Sequence, residues 1–165
     1  MTGLFPGLLR SGRKNILLDT NILLLYLVGR FNPAQITRFK RTAKFVEEDY
    51  RLLDNVLKRF EAIVTTPGIL AEVNSLSGQL PEPIRSSYFL TFARELPAFR
   101  EEFVESRQLA ALHEFVKFGL TDSGIIQAVR DRYLFLTDDF RLSQYLAKSD
   151  FAVINFNHIR TLGWS

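Results

Sequence analysis

The sequence predicts an α/β fold in which a mostly parallel sheet carries helices on both faces. Two observations predict it. Short apolar runs typical of buried strands alternate along the chain with segments of helical length and periodicity. Strands that alternate with helices in this way align parallel, because each helix returns the chain to the same end of the sheet. The chain has 165 residues, 47% of them hydrophobic, and this is enough for a single domain with a substantial core.

The first half of the chain contains two predicted strands. Residues 15–18 form an apolar run that reads as a buried strand, and a helix follows from Thr20 to about Val28. Asn32 and Pro33 mark the start of another helix, with Asn as the N-cap and Pro at the first helical position. Residues 62–65 read as the second strand.

Between these strands, apolar residues recur at alternating spacings of three and four, which predicts one long helix. The stripe consists of Ile36, Phe39, Ala43, Val46, Tyr50, Leu53, Leu57 and Phe60. A helix of this length spans roughly 40 Å, more than a crossover helix of a small domain needs. We therefore expect a helical insertion over about residues 30–60, with its stripe at a homodimer interface. Packing of the stripe on its own domain remains the alternative.

The second half of the chain continues the alternation. Thr66 and Pro67 begin a helix that carries Glu72, and residues 77–83 read as a loop. The remaining predicted elements are a helix over 84–96, a short strand over 103–105, a helix over 109–118 capped by Gly119, a helix over 122–130 capped by Thr121, a strand over 133–137, a helix over 140–148 and a last strand over 151–155.

The composition excludes several classes of protein. Cysteine is absent, so disulfide frameworks, thiolate metal sites and cysteine nucleophiles are excluded. No apolar run approaches the roughly 20 residues of a membrane span. Residues 1–14 lack the apolar region of a signal peptide, and we expect a cytoplasmic location. The net charge is only +3, but residues 30–60 hold eight Lys or Arg against four Asp or Glu.

Four acidic residues follow or interrupt apolar runs: Asp19, Glu72, Asp122 and Asp139. Asp19 and Asp139 follow predicted strands, and ligands of parallel sheets bind beyond the carboxyl ends of the strands. If the four converge, each close pair costs roughly 4 kcal/mol at an effective dielectric constant of about 20, so a cation or protonation is needed. The pattern predicts a magnesium or manganese site.

Each acid also has a local interpretation. Asp19 fits an N-cap, and Asp122 fits a favourable charge in the first turn of a helix. Glu72 fits a solvated helical residue, and Asp138 with Asp139 fits a turn. The two histidines, His113 and His158, lie outside the acidic segments and read as surface or partly buried residues.

Four short segments carry these acids in a characteristic order: Leu17-Leu18-Asp19-Thr20-Asn21, Ala71-Glu72-Val73, Gly119-Leu120-Thr121-Asp122-Ser123 and Leu136-Thr137-Asp138-Asp139-Phe140. In them the chain resembles the PIN-domain family of nucleases, over about residues 14–158 apart from the 30–60 segment. The resemblance implies a three-layer α/β/α sandwich, a divalent-metal site and hydrolysis of RNA phosphodiester bonds. The activity is often that of the toxin of a bacterial toxin–antitoxin pair, so an antitoxin-like protein is an implied partner.

We expect Asp19 and Asp122 to be the principal ligands of Mg²⁺ or Mn²⁺, which bind oxygen donors. Asp139 would complete the site directly or through water. By resemblance, Glu72 would hold a second ion or orient the attacking water. A divalent ion can lower the pKa of a bound water and neutralise the phosphate.

Three further residues are expected to support the site. Asn21 would fix the first acidic loop through its amide, and Thr137 would hydrogen-bond a ligand water. Asp138 is the alternative to Asp139, although Asp139 fits the Thr-x-Asp pattern of the family better. Basic residues of the 30–60 segment, among them Arg38, Arg41 and Lys44, would guide RNA.

Two other functions remain open from the sequence. A PIN-like module without catalytic activity would keep the fold for protein interaction, but the presence of all four acids argues against it. An aspartyl-phosphate enzyme would use an Asp at a strand end as a nucleophile. A phosphatase of that kind would carry a second Asp at the position of Asn21, and a receiver would have its paired acids early in the chain.

Overall fold

The computed structural model describes residues 12–130 and 132–163. Within them, five parallel strands form one sheet in the order β3-β2-β1-β4-β5. The strands are β1 (Asn15–Leu18), β2 (Ala62–Thr65), β3 (Arg100–Glu101), β4 (Leu134–Thr137) and β5 (Val153–Asn155). The predicted α/β class with a parallel sheet is confirmed. Residues 1–11, on which the expectation of no signal peptide largely rests, lie outside the described residues.

Helices connect the strands. In the described ranges they are α1 (Thr20–Phe31), α2 (Gln35–Arg38), α3 (Glu47–Leu57), α4 (Pro67–Ser77), α5 (Ile84–Glu95), α6 (Ser106–Ala110), α7 (Phe115–Val129), α8 (Phe140–Lys148) and α9 (Phe156–Gly163), with a short 3₁₀ turn at Leu96–Ala98. None of the helices in these ranges combines the length and the apolar character that crossing a bilayer requires.

The two central strands, β1 and β4, bring the ends of distant segments together. Their apolar residues are almost completely buried, as expected for parallel strands covered on both faces. Leu18 pairs with Leu136, and the backbone N–H of Asp19 donates to the carbonyl of Leu136 at 3.0 Å. Strand order reverses at β1, so the carboxyl ends of β1 and β4 flank the crevice where parallel sheets bind ligands.

The single long helix predicted for residues 30–60 is wrong. The chain forms two helices, α2 and α3, joined by turns over residues 39–46. Half of the apolar stripe is not free to face another subunit: Ile36 and Leu53 are fully buried in the domain's own core, and Phe39 and Leu57 nearly so. For these four residues the alternative interpretation is correct: the stripe packs on its own domain.

Polar residues explain why the helix is interrupted. Thr42 is fully buried, and its hydroxyl donates to the carbonyl of Ile36 at 2.7 Å, just after α2 ends. Asp49 is also fully buried, and its carboxylate accepts the backbone N–H of Val46 at 2.9 Å, which stabilises the start of α3. The acidic run at residues 47–49 is a helix-start signal that the heptad pattern obscured.

Smaller corrections concern the segment between β2 and β4. The strand predicted over residues 103–105 is wrong, since the edge strand β3 lies earlier and pairs with Val64 and Thr65 of β2. Phe103 is 73% exposed instead. The helix predicted over 109–118 is divided between α6 and the start of α7. Gly119 does interrupt the helix as expected, because it adopts a φ of 82°, which favours glycine.

Candidate functional site

Asp19 lies at the centre of the site. It follows β1 and caps α1, and its carboxylate accepts the backbone N–H of Thr20 at 2.8 Å and the hydroxyl of Thr137 at 2.5 Å. The residue is only 9% exposed. Burial raises the pKa of Asp19 from 3.8 to about 6, with a further increase from the charges of Asp138 and Asp139 and a partial decrease from the two hydrogen bonds.

Thr137 connects Asp19 to the loop after β4. Its side chain is fully buried, and its hydroxyl oxygen also accepts the backbone N–H of Asp139 at 2.9 Å. Asp139 in turn caps α8, because its carboxylate accepts the N–H of Leu142 at 3.0 Å. The predicted contact of Thr137 with a ligand water stays a prediction, whereas its contact with the Asp19 carboxylate is direct.

Asp138 has different partners from Asp139. Its carboxylate forms an ion pair with the ammonium of Lys44, and the Asn21 amide donates to it at 3.4 Å. The Asp138 side chain is 5% exposed, so Lys44 neutralises a nearly buried charge. The charges of Asp138 and Asp139 both raise the pKa of Asp19, and the charge of Asp139 also raises the pKa of Asp122.

Asp122 lies in the first turn after the break at Gly119. It is partly buried, and burial is the largest cause that raises its pKa from 3.8 to about 7. The charges of Asp19, Asp139 and Glu72 raise this pKa further, while Arg141 opposes them. The four acids predicted from the sequence therefore interact electrostatically at one edge of the sheet.

Helix α4 brings Glu72 to this edge. Glu72 is exposed, and its carboxylate accepts the hydroxyl of Thr20, from the first turn of α1, at 2.8 Å. The start of α4 also packs closely against α7. A Cβ added at Gly68 would lie 3.4 Å from the hydroxyl oxygen of Thr121, which is an ordinary van der Waals contact between the two helices.

The donor set suits a hard cation, since carboxylates are ligands that Mg²⁺ and Mn²⁺ favour. However, the acidic side chains do not all lie close to one another. Among the described residues, no three Asp, Glu, His or Cys side chains are close enough together to hold one ion. The charges of Asp139 and Glu72 raise the pKa of Asp122, yet the carboxylates of Asp139 and Glu72 are engaged by Leu142 and Thr20.

The three basic residues predicted to contact RNA do not form one group. Lys44 lies at the acidic edge, and its backbone carbonyl accepts a hydrogen bond from Arg160 at 3.1 Å. Arg41 instead donates to Gln79 at 2.8 Å, and Arg38 lines a separate groove that also includes Gln79. Arg38 and Arg41 thus share the surroundings of Gln79, whereas Lys44 has its ion-pair partner at the acidic edge.

Sequence reasoning missed two residues of the site. Thr20, which holds Glu72, directly follows Asp19 and could have been identified from that position. Arg141, whose charge favours ionised Asp122, carries no signal in the sequence that would have identified it. No family model, no curated protein and no solved structure was found to match this chain.

Proposed function

We propose that this protein is a PIN-like ribonuclease that hydrolyses RNA phosphodiester bonds with Mg²⁺ or Mn²⁺. One observation carries the proposal: four carboxylates at the strand-order reversal of a parallel sheet, two of them with pKa values near neutrality. Ionising these groups together is costly, and a divalent cation among them would offset that cost. Sites of this kind are typical of functional centres.

The residues have distinct roles in the proposal. Asp19 and Asp122 would hold the ion, with Asp139 completing the donor set and Glu72 at its margin. Asp138 is the weaker candidate, because Lys44 and Asn21 already engage its carboxylate. When bound, the ion would neutralise phosphate charge and lower the pKa of a water. Thr137 would keep the Asp19 carboxylate oriented through its hydrogen bond.

Binding of RNA would draw on the basic residues. Lys44 is half exposed beside the acids and would meet a phosphate near the site, while Arg38 and Arg41 would contact the strand further away. Each released phosphate contact would change the log–log dependence of binding on salt by about 0.7 for a single strand. An antitoxin-like protein partner and a cytoplasmic location belong to the same proposal.

Cleavage of RNA by the purified protein tests this function. We expect Mg²⁺ or Mn²⁺ to support cleavage and a chelator to abolish it. Asp19→Asn and Asp122→Asn should each lower the rate by orders of magnitude, because a charged ligand is lost. Asp150→Asn is the matched control: it makes the same chemical change at an exposed residue with a φ of 61°, a conformation that Asn tolerates.

The proposal fails if activity persists in excess chelator, or if both variants cleave like the unsubstituted protein. The incomplete convergence of the acids favours a second candidate, a PIN-like interaction module that does not cleave. That function would be supported by the absence of both cleavage and metal binding in a protein that is folded by circular dichroism.

A further inference from the structure

A small cavity adjoins the acidic edge of the sheet. It encloses about 100 Å³ between the start of α4, the segment after β3 and α7. Its apolar surface includes Val104, Leu109 and Leu120. Thr121 also lines it and immediately precedes Asp122, so the cavity and the candidate catalytic acids share one turn of α7.

One charged side chain of the cavity is held in place. The Glu102 carboxylate accepts the hydroxyl of Tyr133 through one oxygen, and its other oxygen lies 3.6 Å from a guanidinium nitrogen of Arg132. The Glu102 side chain is 19% exposed, so it retains access to solvent and to a ligand. The cavity thus combines apolar walls with an oriented hydrogen-bond acceptor.

These properties define the class of ligand. The Glu102 carboxylate, whose charge Arg132 partly offsets, has no hydrogen-bond donor for a phosphate group, and apolar walls favour a flat ring. A cavity of roughly 150 Å³ in another protein accommodates benzene. The cavity here is smaller, at about 100 Å³, so a six-membered ring would enter it only in part, with the rest of the ring at the open mouth, and a purine would fit less well. A carboxylate accepts hydrogen bonds from the exocyclic amine of cytosine, whereas uracil presents a carbonyl oxygen at that position.

Building on the proposed ribonuclease function, we propose that this cavity binds a cytosine base next to the scissile phosphate of the RNA substrate. The base would leave the stack and insert between the apolar side chains, and its amine would donate to Glu102. Thr121 and Asp122 link the base site to the acids, so the protein would select both the ribonucleotide and the adjacent bond. Cleavage would then occur beside cytosine rather than beside uracil.

The experiment compares short RNAs that differ at one position: cytosine, uracil or an abasic residue. Binding is measured by fluorescence anisotropy with the Asp19→Asn/Asp122→Asn protein, which removes cleavage and reduces repulsion of the phosphates. We expect the cytosine RNA to bind about tenfold more tightly than the uracil RNA, within the range of a good base contact. The abasic RNA should bind no better than the uracil RNA.

Two added substitutions test the cavity itself. Val104→Trp should fill it and abolish the preference for cytosine, and Glu102→Gln should bring the cytosine-to-uracil ratio close to one. Val116→Trp is the control, because Val116 is 95% exposed on α7 and does not line the cavity. If Val104→Trp does not fold, Leu120→Trp takes its place in the experiment, because Leu120 lines the mouth of the cavity and is about half exposed.

The outcomes separate this inference from the nuclease proposal. Equal binding of the three RNAs, or a cytosine preference that survives in Val104→Trp, overturns the base site. Failure of the Asp19→Asn/Asp122→Asn protein to bind any of the RNAs overturns the base site, whereas cleavage by the unsubstituted protein decides the nuclease proposal separately. A cytosine preference that depends on the cavity, together with no cleavage by the unsubstituted protein in Mg²⁺ or Mn²⁺, supports the base site and rejects the nuclease activity.

Discussion

At the residue scale, a single hydroxyl organises the acidic edge. Thr137 is buried at the end of β4, donates to Asp19 and accepts from the backbone of Asp139. Two segments that are more than a hundred residues apart in the chain are therefore held in a common geometry. A valine at this position would fit the strand but would leave the Asp19 carboxylate without one of its two hydrogen bonds.

The raised pKa values of Asp19 and Asp122 predict how stability depends on pH. Both carboxyls bind protons more tightly in the folded, metal-free protein than in the unfolded chain. Between about pH 4 and pH 7 the folded state holds the extra protons, so the free energy of unfolding should decrease as the pH rises through this window. Urea unfolding in a chelator across the window measures this decrease.

Asp122→Asn tests how much the acidic residues of the site contribute to the pH dependence of stability. It removes one titrating group and its repulsion of Asp19, so the decrease in stability should become smaller, whereas Asp150→Asn should keep the original pH dependence. An unchanged pH dependence in Asp122→Asn would show that the pKa of Asp122 is not raised in the folded protein.

At the element scale, the start of a helix is decided by polar residues rather than by apolar spacing. The heptad stripe continues across residues 39–46, where the chain turns. The Asp49 carboxylate both stabilises the start of α3 and accepts a hydrogen bond from Arg160 of α9 at 2.9 Å. Because Arg160 also donates to the carbonyl of Lys44, the turn that carries Lys44 is fastened to the domain.

Leu53 of α3 tests whether the stripe belongs to the core. It is fully buried, so Leu53→Ala should lower the free energy of unfolding by about 2–5 kcal/mol. Leu90→Ala is the matched control on α5, because Leu90 is 67% exposed and its truncation should change stability by less than about 0.5 kcal/mol. Chemical denaturation measures both variants.

A stable Leu53→Ala protein that loses a dimer in sedimentation experiments would instead restore the homodimer expected from the sequence. With the stripe in the core, Val46→Glu combined with Leu53→Glu should unfold the chain instead of releasing folded monomers, because a charge would be buried without a partner.

At the scale of the whole molecule, the sheet determines where the acids meet. The order β3-β2-β1-β4-β5 reverses at β1, and this places the ends of β1 and β4 side by side. Helices α4 and α7 then add Glu72 and Asp122 to the same edge. The resulting concentration of negative charge destabilises the metal-free protein as a whole and not only the side chains concerned.

Addition of a divalent cation should therefore raise the melting temperature. At ten times its dissociation constant, Mn²⁺ would add about 1.4 kcal/mol, which corresponds to roughly 3–6 °C for a domain of this size. Asp19→Asn and Asp122→Asn should lose the shift, while Asp150→Asn should retain it. A shift of full size in both site variants would locate metal binding elsewhere on the protein.

Features that depend on local pattern follow from the amino-acid order alone. Apolar runs identified β1 and β4, cap residues identified the starts of α1 and α4, and Gly119 marked the interruption in α7. Asp19 and Asp139 can be located because the strands that they follow are recognisable along the chain. Each of these features depends on residues a few positions apart, so the amino-acid order is sufficient to predict it.

The combination of distant residues depends on the complete fold. In the fold the 30–60 segment forms two helices, Lys44 pairs with Asp138, and Asp139 lies where its charge acts on Asp19 and Asp122. It also formed the cavity beside Asp122 from three separate segments. Such contacts join residues that lie far apart in the chain. The burial of each side chain and the charges around it depend on all the elements that pack against it, so they cannot be read from neighbouring residues in the sequence.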